Sequence, residues 1–221
     1  MMNYKGMMLP DGEKHLTAWM DTDGRLRDGL PTYQLHKYEA ALRHTVRRGR
    51  AVDVGAHVGL WTRVMALDFR EVMAFEPTPA HIECWNENLR AYPNADLIEA
   101  ALGDHGGKVS LCRRKADSCG DTGVAREGEA ANAAGDAPLF TLDSFGLAEL
   151  DLLKIDNEGY EYFVVKGGLE TIARCRPTVI VEQKPGMGQR YGLRERQAVE
   201  ALQELGMKVA EEISGDFILT F

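Results

Sequence analysis

Residues 51–62, Ala-Val-Asp-Val-Gly-Ala-His-Val-Gly-Leu-Trp-Thr, constrain the fold of this 221-residue chain more than any other stretch. A short apolar run ends at Val54, Gly55 and Gly59 bracket a tight turn, and an amphipathic segment follows. That order describes a buried strand, a glycine turn and a helix start, the layout by which α/β proteins hold an adenosyl ligand at the carboxyl end of a strand. Glycine at these places permits a positive φ or a close backbone approach. Dinucleotide sites favour G-x-G-x-x-G, whereas this turn reads D-x-G-x-x-x-G. Asp53, two positions before Gly55, repels a phosphate and suits a cationic ligand. Glycine-rich βα turns also occur as plain structure, so the motif alone does not decide the matter.

From Arg50 onward strand and helix patterns alternate. Strands are expected at 50–54, 71–75, 96–102, 150–155 and 178–181, with a short extra strand at 109–112. Helices are expected at about 59–68, from Pro79 to about Tyr92 with Thr78 as N-cap, at 160–175 and at 194–205. Segments 208–213 and 217–221 form a closing hairpin turned at Ser214-Gly215. The pattern predicts an α/β fold: a doubly wound, mostly parallel, seven-stranded sheet with a C-terminal antiparallel β-hairpin. Rossmann dehydrogenases and class I methyltransferases share that outline, and the hairpin favours the second.

Residues 49–221 form the expected domain, and residues 1–48 an N-terminal extension. Within it, 1–31 read as irregular chain or a short hairpin with a turn at 20–24, and 33–47 as a helix. This extension is a candidate lid or acceptor-binding segment. Residues 113–137 lack periodicity and read as a flexible insertion loop, which in a compact domain is often functional.

A net charge of −8 argues against a dedicated nucleic-acid binder. Arg43, Arg47, Arg48 and Arg50 form one basic cluster, expected to solvate a helix end. The four cysteines (Cys84, Cys112, Cys119, Cys175) lack zinc-ligand spacing. Cys84 and Cys175 are expected to be buried thiols, and Cys112 and Cys119 could meet. No signal-peptide pattern and no apolar stretch of membrane-spanning length is present, so the expectation is a cytoplasmic protein. The sequence leaves the oligomeric state open.

Three further places carry chemistry. Glu76 ends the second strand, where a carboxylate can accept hydrogen bonds from vicinal ribose hydroxyls; the alternative is an acid stabilised by the following helix dipole. Lys154, Asp156 and Glu158 alternate through the end of the fourth strand, a costly placement unless they pair or reach a cleft. Asp156 could position or deprotonate an acceptor hydroxyl, or help bind a divalent cation. Glu182, ending the fifth strand, could share either task or be a solvated acid. His57, inside the glycine turn, could touch the ligand or only make a local hydrogen bond.

The motifs Val-Asp-Val-Gly-Ala-His-Val-Gly, Ala-Phe-Glu-Pro-Thr-Pro, Ala-Ala-Leu-Gly-Asp, Thr-Leu-Asp-Ser-Phe, Leu-Leu-Lys-Ile-Asp-Asn-Glu-Gly-Tyr-Glu and Val-Ile-Val-Glu run in order from about residue 50 to 184. In this respect the chain resembles the FkbM family of S-adenosylmethionine-dependent methyltransferases. The Lys-Ile-Asp-x-Glu-Gly-x-Glu block is the most specific part. The resemblance implies a class I methyltransferase (Rossmann-like) fold and O-methylation of a hydroxyl on a sugar, glycan or small-molecule acceptor. The candidate cofactor residues are Asp53, Gly55, Ala56, His57, Gly59, Glu76, Pro77, Ala101 and Asp156. The candidate catalytic residues are Asp156, Glu158, Lys154 and Glu182, with Asp156 and Glu182 as candidate ligands for a magnesium ion whose involvement stays undecided. His57 stands where the family usually has Asn, and Lys184 stands where it more usually has His.

Alternatives remain at this stage. A nucleobase or protein-nitrogen methyltransferase would keep the cofactor, although the Asp/Asn-Pro-Pro-Tyr/Phe motif of adenine enzymes is missing. A non-catalytic S-adenosylmethionine-binding protein would keep the cleft. An NAD-linked dehydrogenase would need G-x-G-x-x-G, which the turn lacks.

Overall fold

The computed structural model of the chain describes residues 1–113, 119–126 and 133–221. The N-terminal segment holds a hairpin of β1 (Met2–Tyr4) and β2 (Met7–Leu9), helix α1 (His15–Thr22), a hairpin of β3 (Leu26–Arg27) and β4 (Leu30–Pro31), and helix α2 (Leu35–His44). Then come β5 (Arg50–Val54), α3 (Leu60–Asp68), β6 (Glu71–Phe75), α4 (Pro79–Asn88) and β7 (Ala95–Ile98). Strands β8 (Ala101–Leu102), β9 (Gly107–Arg113), β10 (Thr122–Val124) and β11 (Ala133–Phe140) follow. The rest is β12 (Leu152–Ile155), α5 (Glu161–Lys166), α6 (Leu169–Cys175), β13 (Thr178–Glu182), α7 (Gln197–Glu204), β14 (Lys208–Ile213) and β15 (Asp216–Thr220).

Seven strands make the main sheet in the order β14-β15-β13-β12-β5-β6-β7, parallel except for β15 and β14. The expected doubly wound sheet with a closing hairpin is therefore present. Successive residues along each strand face opposite sides. Val52, Val54, Leu153, Ile155, Val179 and Val181 join one core beneath α5, α6 and α7. Ala51, Leu152 and Ile180 join a second core beneath α2 and α3. Burial on both faces explains why these strands read as continuous apolar runs.

Several expected elements are divided. The segment 96–102 splits into β7 and β8, which belong to different sheets. The helix expected over 160–175 is two helices, because Gly167 and Gly168 interrupt it; a Cβ on Gly167 would lie 1.9 Å from the Gly103 carbonyl oxygen. The expected turn at 20–24 is partly helix, since α1 continues to Thr22. Glu13 Oε1 accepts from Leu16 N at 2.8 Å at its start, and Leu16 and Met20 bury against Met7, Leu9 and Leu60.

The described parts of 113–137 differ from the expected loop. Strands β10 and β11 pair with β9, and β11 runs parallel to β8, making a four-stranded second sheet. Residues 114–118 and 127–132 of that segment, and the side chain of Cys119, lie outside what is described. Cys84, Cys112 and Cys175 are buried free thiols.

Two buried charges fasten the N-terminal segment to the domain. Arg63, fully buried on α3, donates to the carbonyls of Arg27 at 2.9 Å and Pro31 at 2.8 Å. Lys37 on α2 pairs with Asp216 on β15 at 3.0 Å, both side chains buried. Each pairing offsets a desolvation cost that a lone charge could not bear. Elsewhere the arginine cluster resolves into separate pairs, Arg43 with Glu211, Arg47 with Asp151 and Arg50 with Glu71. Among the described residues no helix is long and apolar enough to cross a membrane.

Candidate active site

At the carboxyl ends of β5, β6, β12 and β13 lies a cavity of about 640 Å³. Open α/β sheets bind ligands at this end, where the strand order reverses direction. Its floor is the turn after β5. The amides of Gly55 and Ala56 both donate to Phe75 O at 3.0 Å, and Gly59 N donates to Ala56 O at 2.8 Å. Gly55 has φ +77° and touches Asp156: a Cβ there would lie 2.0 Å from the Asp156 carbonyl oxygen. Gly59, at φ +86°, leaves no room for a Cβ beside Leu89 and Trp85. Of this pair Gly55 lines the cavity and Gly59 does not; Gly59 serves the packing of α3 against α4.

Asp53 is placed otherwise than the sequence implied. Its side chain is 0% exposed and does not reach the cavity wall. Thr62 Oγ1 donates to Oδ2 at 2.7 Å, and Lys154 Nζ lies 3.0 Å from Oδ1. A residue in the interior of a strand buried on both faces cannot turn its side chain to the strand's end, so Asp53 acts on the site only through Lys154. That lysine also donates to Gly55 O at 3.1 Å and lies 4.0 Å from Asp156. Burial works against its charge, but Asp53 and Asp156 outweigh it and hold the ammonium above its ordinary value. Lys154 thus braces the glycine turn.

Glu76 lies on the opposite wall, 5% exposed. Oε2 accepts from His57 N at 2.9 Å; Oε1 accepts from Thr78 N at 2.9 Å and from His81 Nδ1 at 3.0 Å. Burial alone would raise this carboxyl, yet His81, His57 and the Thr78 contact together lower it to about 2. Thr78 is the N-cap of α4 as expected, but its amide, not its side chain, makes the contact. His57 sits at φ +53°, and its ring meets the His81 ring with centroids 4.1 Å apart. Burial and the neighbouring His81 push its imidazole well below the ordinary value, so it is neutral. Ala56, His57, Pro77 and Ala101 line the cavity.

The third wall is acidic. Asp156, Glu158 and Glu182 present ligand atoms within 4.8 Å of one another. Asp156 and Glu158 follow β12, and Glu182 ends β13, so parallel register brings them together. Oxygen ligands in such a set can take a divalent ion. Lys184 Nζ, however, already lies 2.5 Å from Glu182 Oε1. Burial, reinforced by Asp156, pushes the Glu182 carboxyl well above the usual range even beside that ammonium. Behind the cluster Glu161 Oε1 accepts from the amides of Asn157 at 3.0 Å and Gly159 at 2.8 Å, which holds the loop that carries Glu158.

Several cavity residues escape a motif reading. His15 and Tyr33 come from the N-terminal segment. Burial, and then the charge of Asp156, raise the Tyr33 phenol. Nothing in the sequence of that segment announces a site. His81 had a readable signal: it lies in the first turn of a helix opened by Thr78-Pro79, five residues after Glu76.

Comparison with known proteins bears on the family and the fold. The profile of the family described as the methyltransferase FkbM domain matches residues 53–209. A methyltransferase FkbM from Methylobacillus flagellatus KT superposes with a TM-score of 0.51 at 16% identity, over 80% of this chain and 45% of that one. This chain therefore spans less than half the length of that protein. The N-methyltransferase NodS from Bradyrhizobium japonicum WM9, solved with S-adenosyl-L-homocysteine, gives 0.51 at 11% identity over 85% of each chain. A precorrin-6y C5,15-methyltransferase from Geobacter metallireducens GS-15 gives 0.50 at 13% identity, over 90% of this chain and 94% of that one. No curated protein matches the chain in sequence.

Proposed function

We propose, from the premise that the chain belongs to the FkbM methyltransferase family, that it transfers a methyl group from S-adenosylmethionine to a hydroxyl oxygen of a small-molecule or glycan acceptor. The observation that carries this reading is one cavity in which the Gly55 turn, at the end of β5, lies between the ionised Glu76 after β6 and the acids Asp156, Glu158 and Glu182 at the ends of β12 and β13.

The residues present fit the cofactor. Oε2 of Glu76 accepts a single protein donor and keeps a lone pair for a ribose hydroxyl. Gly55 lines the cavity and lets the Asp156 backbone close against the turn, and the cavity volume lies within the range of small-molecule sites. Bound there, the cofactor would supply a methyl group on a positively charged sulfur. The task left to this chain is to seat an acceptor oxygen behind that carbon and to take its proton. Asp156 is the residue for that proton: it lies at the cavity, and its carboxylate has side-chain exposure of 29%. Glu182, held by Lys184, orients the acceptor. Lys154 positions Gly55 and Asp156 together. Lys184 already supplies the acidic trio with a cation, and no step here depends on a metal ion.

The test is calorimetric titration of the protein with S-adenosylmethionine, S-adenosylhomocysteine and NAD. Micromolar binding of the two sulfur nucleosides without NAD binding is the expected result. Absence of binding by both sulfur nucleosides would overturn the reading.

A further inference from the structure

Glu76 has fewer open lone pairs than its proposed task requires. A carboxylate offers about four acceptor positions, two on each oxygen. In this structure Oε1 receives Thr78 N at 2.9 Å and His81 Nδ1 at 3.0 Å, and Oε2 receives His57 N at 2.9 Å. Two of the three donors are backbone amides fixed by the turn and by the helix start, and they cannot swing away. One position remains, on Oε2. A ribose diol brings two hydroxyls.

The second partner is already on the wall. Glu76 is ionised and can only accept, so the proton shared with His81 must sit on Nδ1. Nε2 is then the ring nitrogen left to pair with a ligand, and a ribose hydroxyl can give or take a hydrogen bond there. His81 lines the cavity, and among the described residues its Nε2 has no hydrogen-bond partner. The ring is fixed on two sides, through Nδ1 to Glu76 and face-to-edge against His57 at 4.1 Å. Its backbone is held as well, because His81 N donates to Thr78 O at 3.0 Å in the first turn of α4. A ring nitrogen held this firmly at the cavity, beside the one open position on Glu76, is a ready-made partner for a second hydroxyl.

We propose that His81 is a cofactor-binding residue that divides the ribose diol with Glu76, Glu76 Oε2 receiving one hydroxyl and His81 Nε2 pairing with the other. The inference rests on the cofactor reading above and deepens it. It also gives His57 a role: its amide serves Glu76, and its ring backs the His81 imidazole.

The experiment is a calorimetric cycle with S-adenosylhomocysteine and its 2′-deoxy and 3′-deoxy analogues, on the wild type and on His81→Phe. Phenylalanine keeps a planar ring against His57 and removes both nitrogens. Each missing hydroxyl is expected to weaken binding to the wild type by about tenfold. His81→Phe is expected to bind S-adenosylhomocysteine about tenfold less tightly. In that variant one of the two deoxy analogues should bind as well as the parent, which identifies the hydroxyl that His81 meets. A merely structural role for His81 would leave both deoxy penalties intact. Unchanged or tighter binding by His81→Phe, or two full deoxy penalties within it, would overturn the proposal.

A second readout needs no variant. The 15N resonance of His81 Nε2 in the wild type should move on addition of S-adenosylhomocysteine and stay in place with the analogue lacking its hydroxyl. No movement with the parent compound would overturn the proposal even if the Phe variant failed to fold. If the wild type bound none of these nucleosides, the cofactor reading itself would fall; binding with His81 indifferent removes the inference alone.

Discussion

Gly55 and Asp156 approach so closely that a Cβ on Gly55 would lie 2.0 Å from the carbonyl oxygen of Asp156. Gly55 also has φ +77°, a conformation costly for other residues. Gly55→Ala should therefore destabilise the protein by about 3 kcal/mol or more, in the range of severe single substitutions. Urea unfolding measures this directly. A variant as stable as the wild type would show that the two strand ends can separate without cost.

Glu76→Ala removes the acceptor of two turn amides as well as the proposed ribose contact. S-adenosylhomocysteine affinity should fall by about tenfold to a hundredfold, the loss of one or two charged hydrogen bonds. Calorimetry reads it, and equal affinity in the two proteins would remove Glu76 from the cofactor site.

Asp156→Asn keeps the shape of the side chain and abolishes its basicity. Cofactor affinity should change little, while methyl transfer to a competent hydroxylated acceptor should drop by about a hundredfold or more. Transfer of a radiolabelled methyl group measures the second quantity. Parallel losses of binding and transfer would make Asp156 a cofactor ligand rather than the proton acceptor.

Glu161 makes stability depend on pH. Its burial raises the carboxyl from 4.5 to about 7, against the pull of the Gly159 and Asn157 amides. The folded state thus favours the protonated form. The contribution is fully present below about pH 4.5 and is lost as pH rises through about 7, a swing of about 3 kcal/mol. The wild type should unfold at lower urea concentration at pH 8 than at pH 5, and Glu161→Gln should flatten the difference. A variant with the same pH slope as the wild type would contradict the assignment.

Lys184 already stands 2.5 Å from Glu182, so the acidic trio has a cation of its own. Chelation by EDTA should leave S-adenosylhomocysteine binding and methyl transfer unchanged. Lys184→Met should instead create affinity for magnesium, detectable by calorimetry with the metal alone. Loss of wild-type transfer on chelation would show that the trio takes an ion despite Lys184.

The sheet was readable because its strands are buried on both sides and therefore leave continuous apolar runs such as Val179-Ile-Val. The acidic wall was readable for the opposite reason: Asp156, Glu158 and Glu182 stand out at the ends of those runs. Asp53 misled because sequence order puts it beside the turn, whereas strand alternation turns its side chain inward to Thr62 and Lys154. The break in 160–175 escaped because two adjacent glycines fit inside a helical period, and only the approach of Gly103 shows why they are needed. Tyr33 and His15 left no motif, since they reach the cavity through tertiary anchoring by Arg63 and Lys37.

That anchoring makes the cavity a joint product of two stretches of chain. Residues 53–209 carry the shared family pattern, whereas His15 and Tyr33 lie before it. Met7, Leu9, Leu16 and Met20 share a core with Val58, inside the glycine turn, and with Leu60. The leading stretch is thus a structural partner of that turn, not an appendage that could be exchanged freely.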